Sequence, residues 1–299
     1  MVLFWVGMKI GRKIFLISVG VLVFAALSIF CVFWMRSPVL IVVEQAFVDL
    51  YGTGRIRNES ILASFALFRP IRAVVISNEA GDDIVPFAVS EVSKRPFCVL
   101  FPRRFVHPAL LYCEQNPNIP TVLLNGRYSQ NDSEYPSLFV YGTDIDSEFY
   151  NAGLIASALS PEFSGRIGVF TEPGIQSDAR NAFLRALHDQ GKSAETMFFT
   201  SFSEFPANLD FSCVILAGTG IELLEQNLGI PVILFSWVSP SMVPQDIAAV
   251  VNDSPWAQVS QAASFAAAGL KNAVIPSNFH VIERNKIDRG VLQLIKNTW

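Results

Sequence analysis

The sequence predicts an α/β protein built on parallel β-sheets and preceded by one apolar amino-terminal helix. Three observations support this fold class. Apolar runs of strand length alternate with segments of helical periodicity from residue 38 onward. The turns after these runs are rich in Gly, Pro, Asn and Asp, which favour turns. The chain has 299 residues, 51% of them hydrophobic, which is enough for two domains with separate cores.

The alternation is clearest in the middle of the chain. An apolar run at residues 138–141 precedes a helical segment, for which Asp146 is the expected N-cap. A second run at residues 166–170 precedes another helix, with Ser177 expected to cap it and Gly191 to end it. Two strands joined by a crossover helix predict parallel pairing, with ligand-binding loops beyond the carboxyl ends of the strands.

This region resembles the centre of type I periplasmic binding proteins and of the ligand-binding half of lac-repressor-type regulators. The resemblance rests on the segments VYGTDIDSEFYNAGLIASAL, GRIGVF and SDARNAFLRALHDQG. Asp144, between a strand and a helix, and Arg180, early in the next helix, match two positions of the family pattern. The resemblance covers about residues 38–299 and includes no DNA-binding domain. It implies two Rossmann-like lobes with parallel sheets, joined by hinge strands.

The other apolar runs continue the same rhythm. Strands are expected at residues 38–43, 73–76, 97–101, 119–124, 197–200, 211–217, 231–235 and 248–251, and helices at 59–68, 87–92, 110–112, 221–227 and 256–269. With the resemblance, this order predicts residues 1–37 as an anchor or signal segment, 38–143 plus 253–276 as lobe 1, and 144–252 plus 277–299 as lobe 2.

Residues 14–35 form an uncharged apolar run that is long enough to cross a bilayer as a helix. Basic residues precede the run and only Arg36 follows it closely, so the positive-inside rule places the bulk of the chain outside the cytoplasm. We interpret the run as an uncleaved anchor in the cell inner membrane, with a periplasmic or extracytoplasmic body. A second interpretation is a lipoprotein signal lipidated at Cys31, although the bulky Phe30 departs from the lipobox pattern.

Composition argues against nucleic-acid binding and against metal chemistry. The net charge is −4 and no Lys/Arg-rich run offers a basic face to phosphates. The four cysteines form no CxxC pair and have no His at metal-ligand spacing. Cys98 and Cys213 lie in apolar runs and are expected to be buried thiols, although the sequence leaves a Cys98–Cys113 disulfide open.

Nothing in the sequence predicts an enzyme or a bound cofactor. The chain has no HExxH helix and no GxSxG elbow. The run of Gly218, Thr219 and Gly220 before a helix has Leu223 at the third glycine position of a dinucleotide loop, so we interpret it as a tight turn.

Eight side chains are expected to line a ligand cleft. Arg103, Arg104 and Arg127 follow predicted strands, which places them at the ligand-binding edge of a parallel sheet, and the last two are included in the set. The others match ligand contacts implied by the resemblance or follow later strands. The full set is Phe47, Arg104, Asn125, Arg127, Asp144, Arg180, Thr219 and Trp237.

Several of these residues have a simpler interpretation. Asp144 and Asp146 are expected chiefly to cap a helix. Arg180 is either a ligand contact or a solvated surface residue. Phe47, which is expected in the loop after the first strand, is either a stacking aromatic or a core residue.

The resemblance implies a monomeric, membrane-tethered solute-binding protein that presents a small ligand to an ABC-type permease. The inferred cleft has fewer carboxylates and more aromatic residues than sugar binders have, so a nucleoside or flavin-like ligand competes with a sugar. The alternative is a ligand-sensing ectodomain that works with a membrane signalling partner.

Overall fold

A computed structural model gives the fold of the chain. It describes residues 2–51, 53–77, 80–124, 135–159, 165–206, 210–226, 229–235, 247–251, 255–275 and 279–281. The α-helices are α1 (Val2–Met35), α2 (Gln45–Tyr51), α3 (Thr53–Leu67), α4 (Ile84–Val92), α5 (Val106–Gln115), α6 (Ile145–Leu159), α7 (Gln176–Asp189) and α8 (Pro255–Ala267). The strands are β1 (Val39–Glu44), β2 (Ile71–Ile76), β3 (Cys98–Pro102), β4 (Thr121–Leu124), β5 (Leu138–Thr143), β6 (Arg166–Thr171), β7 (Glu195–Phe199), β8 (Phe211–Ala217), β9 (Val232–Phe235), β10 (Ile247–Val251), β11 (Asn272–Ile275) and β12 (Phe279–Val281).

The strands form two six-stranded sheets. Sheet A has the order β11-β5-β4-β3-β1-β2, and its pairings are all parallel. Sheet B has the order β12-β10-β9-β8-β6-β7, and only its β10–β12 pairing is antiparallel. The predicted α/β class with two parallel sheets is therefore confirmed.

The chain passes between the sheets three times within the described elements, from β5 through α6 to β6, from β10 through α8 to β11, and from β11 to β12. Each sheet thus includes a strand from the carboxyl-terminal part of the chain. The division into lobes at residues 38–143 plus 253–276 and 144–252 plus 277–299 stays a prediction.

Sheet A is buried because helices cover both of its faces. All six residues of β1 are buried, and its side chains alternate between two separate apolar clusters. One cluster includes the Ala-rich face of α8, and the other includes α4 and α5. Because the central strands β1, β3 and β4 face apolar side chains on both sides, they read as continuous apolar runs in the sequence.

Helices α6 and α7 pack closely because residue 153 has no side chain. A Cβ atom on Gly153 would lie 2.7 Å from the Cβ of Ala186 and 2.8 Å from the carbonyl oxygen of Phe183. Small residues allow the two helix backbones to approach one another, and this contact joins α6 to the core of the sheet B side.

The helix ends differ in part from the prediction. Helix α6 begins at Ile145, so Asp144 rather than Asp146 lies at its N-cap, where it accepts a hydrogen bond from the Asp146 amide at 3.1 Å. Helix α7 begins one residue before Ser177 and has no side-chain cap at its start. Gly191 has φ of +64°, and its amide donates to the His188 carbonyl at 2.9 Å, as expected of a C′ glycine.

Three local predictions are corrected by the tertiary structure. Phe47 lies in α2 and is only 8% exposed, so it is not a loop residue. The helix predicted at 221–227 is a short 3-10 helix, Ile221–Glu225. The short helix predicted at 110–112 is the longer α5.

Helix α1 contains Ser18–Met35, which among the described residues is the one segment long and apolar enough to span a bilayer, with a mean hydropathy of 2.4. No part of this segment is buried against the rest of the protein. The apolar run predicted at 14–35 lies inside this continuous helix. Both a membrane anchor and a signal sequence have these properties.

The cysteines are all free, and Cys98, Cys113 and Cys213 are buried whereas Cys31 is exposed. A Cys98–Cys113 disulfide does not form, because Cys98 belongs to the apolar cluster under α8 and Cys113 to the cluster on the opposite face of sheet A. Burial raises the pKa of the Cys98 thiol to about 12.

Replacement of Gly153 by Ala should lower the free energy of unfolding by about 1–3 kcal/mol, because the added Cβ must displace the α7 backbone. Urea unfolding of the full chain in detergent micelles, followed by circular dichroism, measures the effect. Gly54→Ala in α3 is the control, since no atom lies within 4 Å of a Cβ there. A loss at Gly153 no larger than at Gly54 would contradict the close packing of α6 on α7.

The thiol burial predicts a simple alkylation pattern at neutral pH. Iodoacetamide should leave Cys98, Cys113 and Cys213 unmodified in the folded chain in detergent and should modify all four cysteines after denaturation, because reaction requires an accessible thiolate. Intact-mass spectrometry counts the adducts. If the denatured, unreduced chain gained only two adducts, the result would show that Cys98 and Cys113 form a disulfide after all.

Candidate functional site

The candidate site lies where the carboxyl ends of strands from the two sheets meet. Glu44 ends β1 and Arg103 follows β3 in sheet A, while Glu172 follows β6 in sheet B. The Arg103 guanidinium donates a hydrogen bond to the Glu172 carboxylate, although the residues are 69 positions apart in the chain. The two strand edges therefore face each other, which is the expected place for a ligand in parallel α/β sheets.

Within sheet A, Glu44 forms an ion pair with Arg104. The Glu44 side chain is 3% exposed, whereas that of Arg104 is 40% exposed. A carboxylate this deeply buried requires an opposite charge, and Arg104 supplies it from the loop after the neighbouring strand β3. Burial lowers the pKa of the Arg104 guanidinium below its ordinary value.

Arg103 and Arg104 are adjacent in the sequence but act in different directions. Arg104 contacts a carboxylate of its own sheet, and Arg103 contacts a carboxylate of the other sheet. Both belong to a short 3-10 helix, Arg103–Phe105, in which consecutive side chains point about 120° apart. This local geometry explains how two neighbouring cations serve both sides of the site.

The sheet B side of the site adds hydroxyl groups. Thr171 ends β6, and its Oγ1 atom is buried and has no hydrogen-bond partner among the residues that the structure describes. The Thr219 hydroxyl donates to the Thr171 carbonyl oxygen at 3.4 Å. Since buried hydroxyl groups are normally hydrogen-bonded, the Thr171 hydroxyl is a group that a polar ligand can satisfy.

Two glycines keep this part of the site compact. A Cβ on Gly218 would lie 2.7 Å from Cγ of Glu172, so only glycine allows the β8 turn to approach that carboxylate. Gly220 has φ of +81°, a conformation that favours glycine, at the turn into Ile221–Glu225. The tight turn predicted from these glycines is thus present after β8.

The predicted site residues lie in several different places. Arg104 and Thr219 are at the facing strand ends described above. Phe47 is nearly buried in α2. Asp144 caps α6, where it also accepts a hydrogen bond from the Ser147 hydroxyl at 2.7 Å. Arg180 is exposed and its guanidinium lies 5.8 Å from the ring centroid of Phe198.

Three further predicted residues, Asn125, Arg127 and Trp237, lie outside the described residues. Ligand-binding roles for all eight predicted residues, and lipidation of Cys31, stay predictions.

The sequence-based prediction missed the two carboxylates, Glu44 and Glu172, and the buried hydroxyl of Thr171. A signal was available, because each of these residues stands at the end of an apolar run or directly after it. Polar residues at this point of a parallel strand are directed to the ligand edge. Their partners, however, could not be identified from the local sequence.

A separate polar depression of about 540 Å³ lies between α6 and α7. The residues around it are Asp144, Asp146, Ser147, Tyr150, Asn151, Arg185 and Asp189. Some of its groups pair with one another, since the Tyr150 hydroxyl donates to Asp189 at 2.9 Å and Arg185 lies over the Tyr150 ring, whereas the buried Nδ2 atom of Asn151 has no hydrogen-bond partner among the described residues. Among the described side chains, no group of three or more His, Cys, Asp or Glu residues is arranged to hold a metal ion.

Loss of Arg104 should destabilise the protein more than loss of an exposed ion-pair partner. Arg104→Ala leaves the Glu44 carboxylate buried without its counter-charge, so we expect a loss of about 3 kcal/mol in the free energy of unfolding. Arg166→Ala, which removes the exposed Arg166–Glu195 pair, should change it by less than about 1 kcal/mol. Urea unfolding measures both, and adding Glu44→Gln to Arg104→Ala should recover part of the loss. Equal effects of the two single variants would contradict the burial of Glu44.

Comparison with protein-family models and with curated protein sequences finds no match to this chain. Among solved structures, it is similar to a transcriptional activator of the comK gene from Bacillus halodurans, with 14% identity, a TM-score of 0.50, and coverage of 88% of this chain and 95% of that one. It is also similar to AraP, an arabinose-binding protein from Geobacillus stearothermophilus, with 13% identity, a TM-score of 0.50, and coverage of 84% and 97%. At such low identity the likeness concerns the fold alone. The chain therefore has the type I periplasmic binding protein-like fold that the segments around Asp144 and Arg180 predicted.

Proposed function

We propose that this protein binds a small polar solute between its two sheets and acts as a membrane-tethered, extracytoplasmic solute-binding protein. The observation that carries the proposal is the Arg103–Glu172 ion pair, which joins the strand ends of sheet A to those of sheet B. An ion pair between two units across a ligand edge can form when a cleft closes and break when it opens. Ligand binding is thereby coupled to the relative position of the two sheets.

The groups at the strand ends suit a ligand with several hydrogen-bonding groups. Arg103 and Arg104 are donors, Glu44 and Glu172 are acceptors, and the Thr171 hydroxyl is both. A sugar, a nucleoside or a flavin-like compound carries hydroxyl groups that pair with such a set. A ring-stacking role for Trp237 would favour the compounds with planar rings. No catalytic step is part of this proposal.

The amino-terminal helix supports the location. An apolar segment with mean hydropathy of 2.4 and no burial in the protein requires another apolar environment, and a bilayer provides it. The charge asymmetry around the segment favours an extracytoplasmic body. A protein held in this way would deliver its ligand to a permease of the ABC type in the same membrane.

A ligand-sensing ectodomain is the second candidate function. The observation that favours it is the direct packing of α1 on α3, where the Phe33 and Phe65 ring centroids are 6.4 Å apart. Such packing can transmit a change in the body to the membrane segment. Crosslinking in native membranes followed by mass spectrometry separates the two functions, since a permease partner supports delivery and a signalling partner supports sensing.

Native mass spectrometry of the full chain, released from detergent micelles, tests ligand binding first. A mass adduct that matches a sugar, nucleoside or flavin is the expected result. Thermal unfolding with a panel of these compounds is the second measurement, because a ligand that binds the folded state raises the unfolding temperature. The absence of both an adduct and any thermal shift would refute the proposed function.

Glu172→Gln should weaken ligand binding by roughly tenfold, because it removes the charge that pairs with Arg103 when the sheets approach each other. Isothermal titration with the identified ligand measures the affinity. Glu195→Gln is the matched control, since Glu195 pairs with Arg166 at 2.8 Å at the amino ends of β6 and β7, away from the site. Equal affinities of the two variants would show that the ion pair has no part in binding.

A further inference from the structure

The last turn of α1 is joined to α3 by aromatic contacts. The ring of Phe33 stacks on that of Phe65 with centroids 6.4 Å apart, and it meets the ring of Phe68 edge-on at 5.8 Å. The guanidinium of Arg36, directly after α1, lies 4.8 Å from the Phe68 ring centroid. Helix α3 is therefore held beside the end of the apolar segment.

Helix α3 also exposes large apolar side chains on its outer side. Ile61, Leu62 and Phe65 are 42%, 70% and 72% exposed. Residues three and four positions apart are neighbours on a helix surface, so Phe65 lies beside both Leu62 and Ile61, and the three side chains form one surface, which we call the α3 apolar face. Ala63 of the same helix is only 8% exposed. The α3 apolar face is thus directed away from the sheet that the helix covers.

The ring contacts determine how deep this face lies relative to the apolar segment. Phe33 is two residues before the end of Ser18–Met35, so it lies roughly 3 Å inside that end at a helical rise of 1.5 Å per residue. Phe65 stacks directly on Phe33 and must share its depth. If Ser18–Met35 spans the bilayer, Phe65 lies at the boundary between headgroups and acyl chains.

The residues around this boundary have the composition of a membrane interface. Trp34 is 53% exposed and meets Phe33 edge-on, and aromatic residues of this kind concentrate at the headgroup level. Arg36 and Arg69 follow, with Arg69 donating to the Ser37 carbonyl at 3.3 Å. Cations directly outside an apolar segment attract anionic lipid headgroups.

We propose that the α3 apolar face inserts into the outer boundary of the bilayer beside α1 and so holds the sheet A side of the protein on the membrane surface. This inference rests on the membrane tethering in the proposed function. The occupant of the face is the lipid bilayer, because the face is continuous with the spanning segment and is bordered by Arg36 and Arg69. The anchor therefore orients the protein as well as tethering it.

The test measures the depth of single fluorescent labels in the full chain. The protein carries Cys31→Ser, the other cysteines being buried, and one new cysteine labelled with a nitrobenzoxadiazole dye. Leu62→Cys reports on the α3 apolar face, and Leu184→Cys, on the exposed side of α7, is the matched control. The chain is placed in nanodiscs of equal parts phosphatidylcholine and phosphatidylglycerol, with and without lipids that carry a quenching nitroxide near the headgroup.

The label at position 62 should be quenched about threefold more strongly than the label at position 184, because a face inserted by several ångströms brings the dye among the nitroxides. Quenching at position 62 no stronger than at position 184 would overturn the inference. The exposed positions make both variants compatible with folding, which circular dichroism verifies.

Two further measurements separate this inference from the proposed function. Phe24→Cys, in the middle of the spanning segment, should be quenched by nitroxides deep in the acyl region; without that quenching, both the tethering and this inference fail. Ligand binding is measured independently by native mass spectrometry. Strong quenching at position 62 with no ligand detected supports the inference and counts against the proposed function alone. If the protein binds a ligand but the label at position 62 is not quenched, the inference about the α3 apolar face is refuted and the proposed function is not.

Discussion

Parallel strand pairing is the constraint on which the rest of this structure depends. A hairpin cannot connect parallel strands, so helices must cross the sheet between them and cover its faces. The covering helices bury all of β1 and β4 and most of β3 in sheet A. Polar side chains are excluded from such strands and collect in the loops after them. The candidate site is the place where these loops meet from both sheets.

The electrostatics of the site divide into a permanent and a reversible part. The Glu44–Arg104 pair lies within sheet A with its carboxylate buried, so breaking it would leave a charge without water or a partner. The Arg103–Glu172 pair joins the two sheets, and its side chains are 18% and 33% exposed. Water can replace such a partly exposed partner at small free-energy cost. The first pair shapes the site, and the second can respond to a ligand.

The aromatic contacts at the end of the amino-terminal helix are made with the sheet A side of the protein. Phe33 and Arg36 both contact the end of α3, which belongs to the layer of helices on sheet A. Under the proposed function, a body anchored through sheet A would leave sheet B to move relative to the membrane. This geometry suits both delivery of a ligand to a membrane partner and transmission of a binding signal.

Much of the fold could be predicted from the sequence because strand and helix patterns are local. Apolar runs and helical periodicity predicted the parallel α/β class, and Gly191 predicted the end of α7 from its own backbone requirement. Helix starts were less well predicted. Asp144 and Asp146 are equally good capping residues, and only the path of the chain out of β5 selects Asp144.

Contacts between distant residues were decided by the tertiary structure. Cys98 and Cys113 are close in sequence, but the folded sheet separates them by placing one on each face. Arg104 could be predicted as a site residue from its position after a strand. Its partner Glu44, and the pairing of Arg103 with Glu172, depend on which strands are neighbours and how the sheets face each other. The sequence by itself determined the class of fold and the edge where polar residues gather, because both follow from patterns among nearby residues. Only the tertiary structure decided which charges meet there, because that depends on packing between segments far apart in the chain.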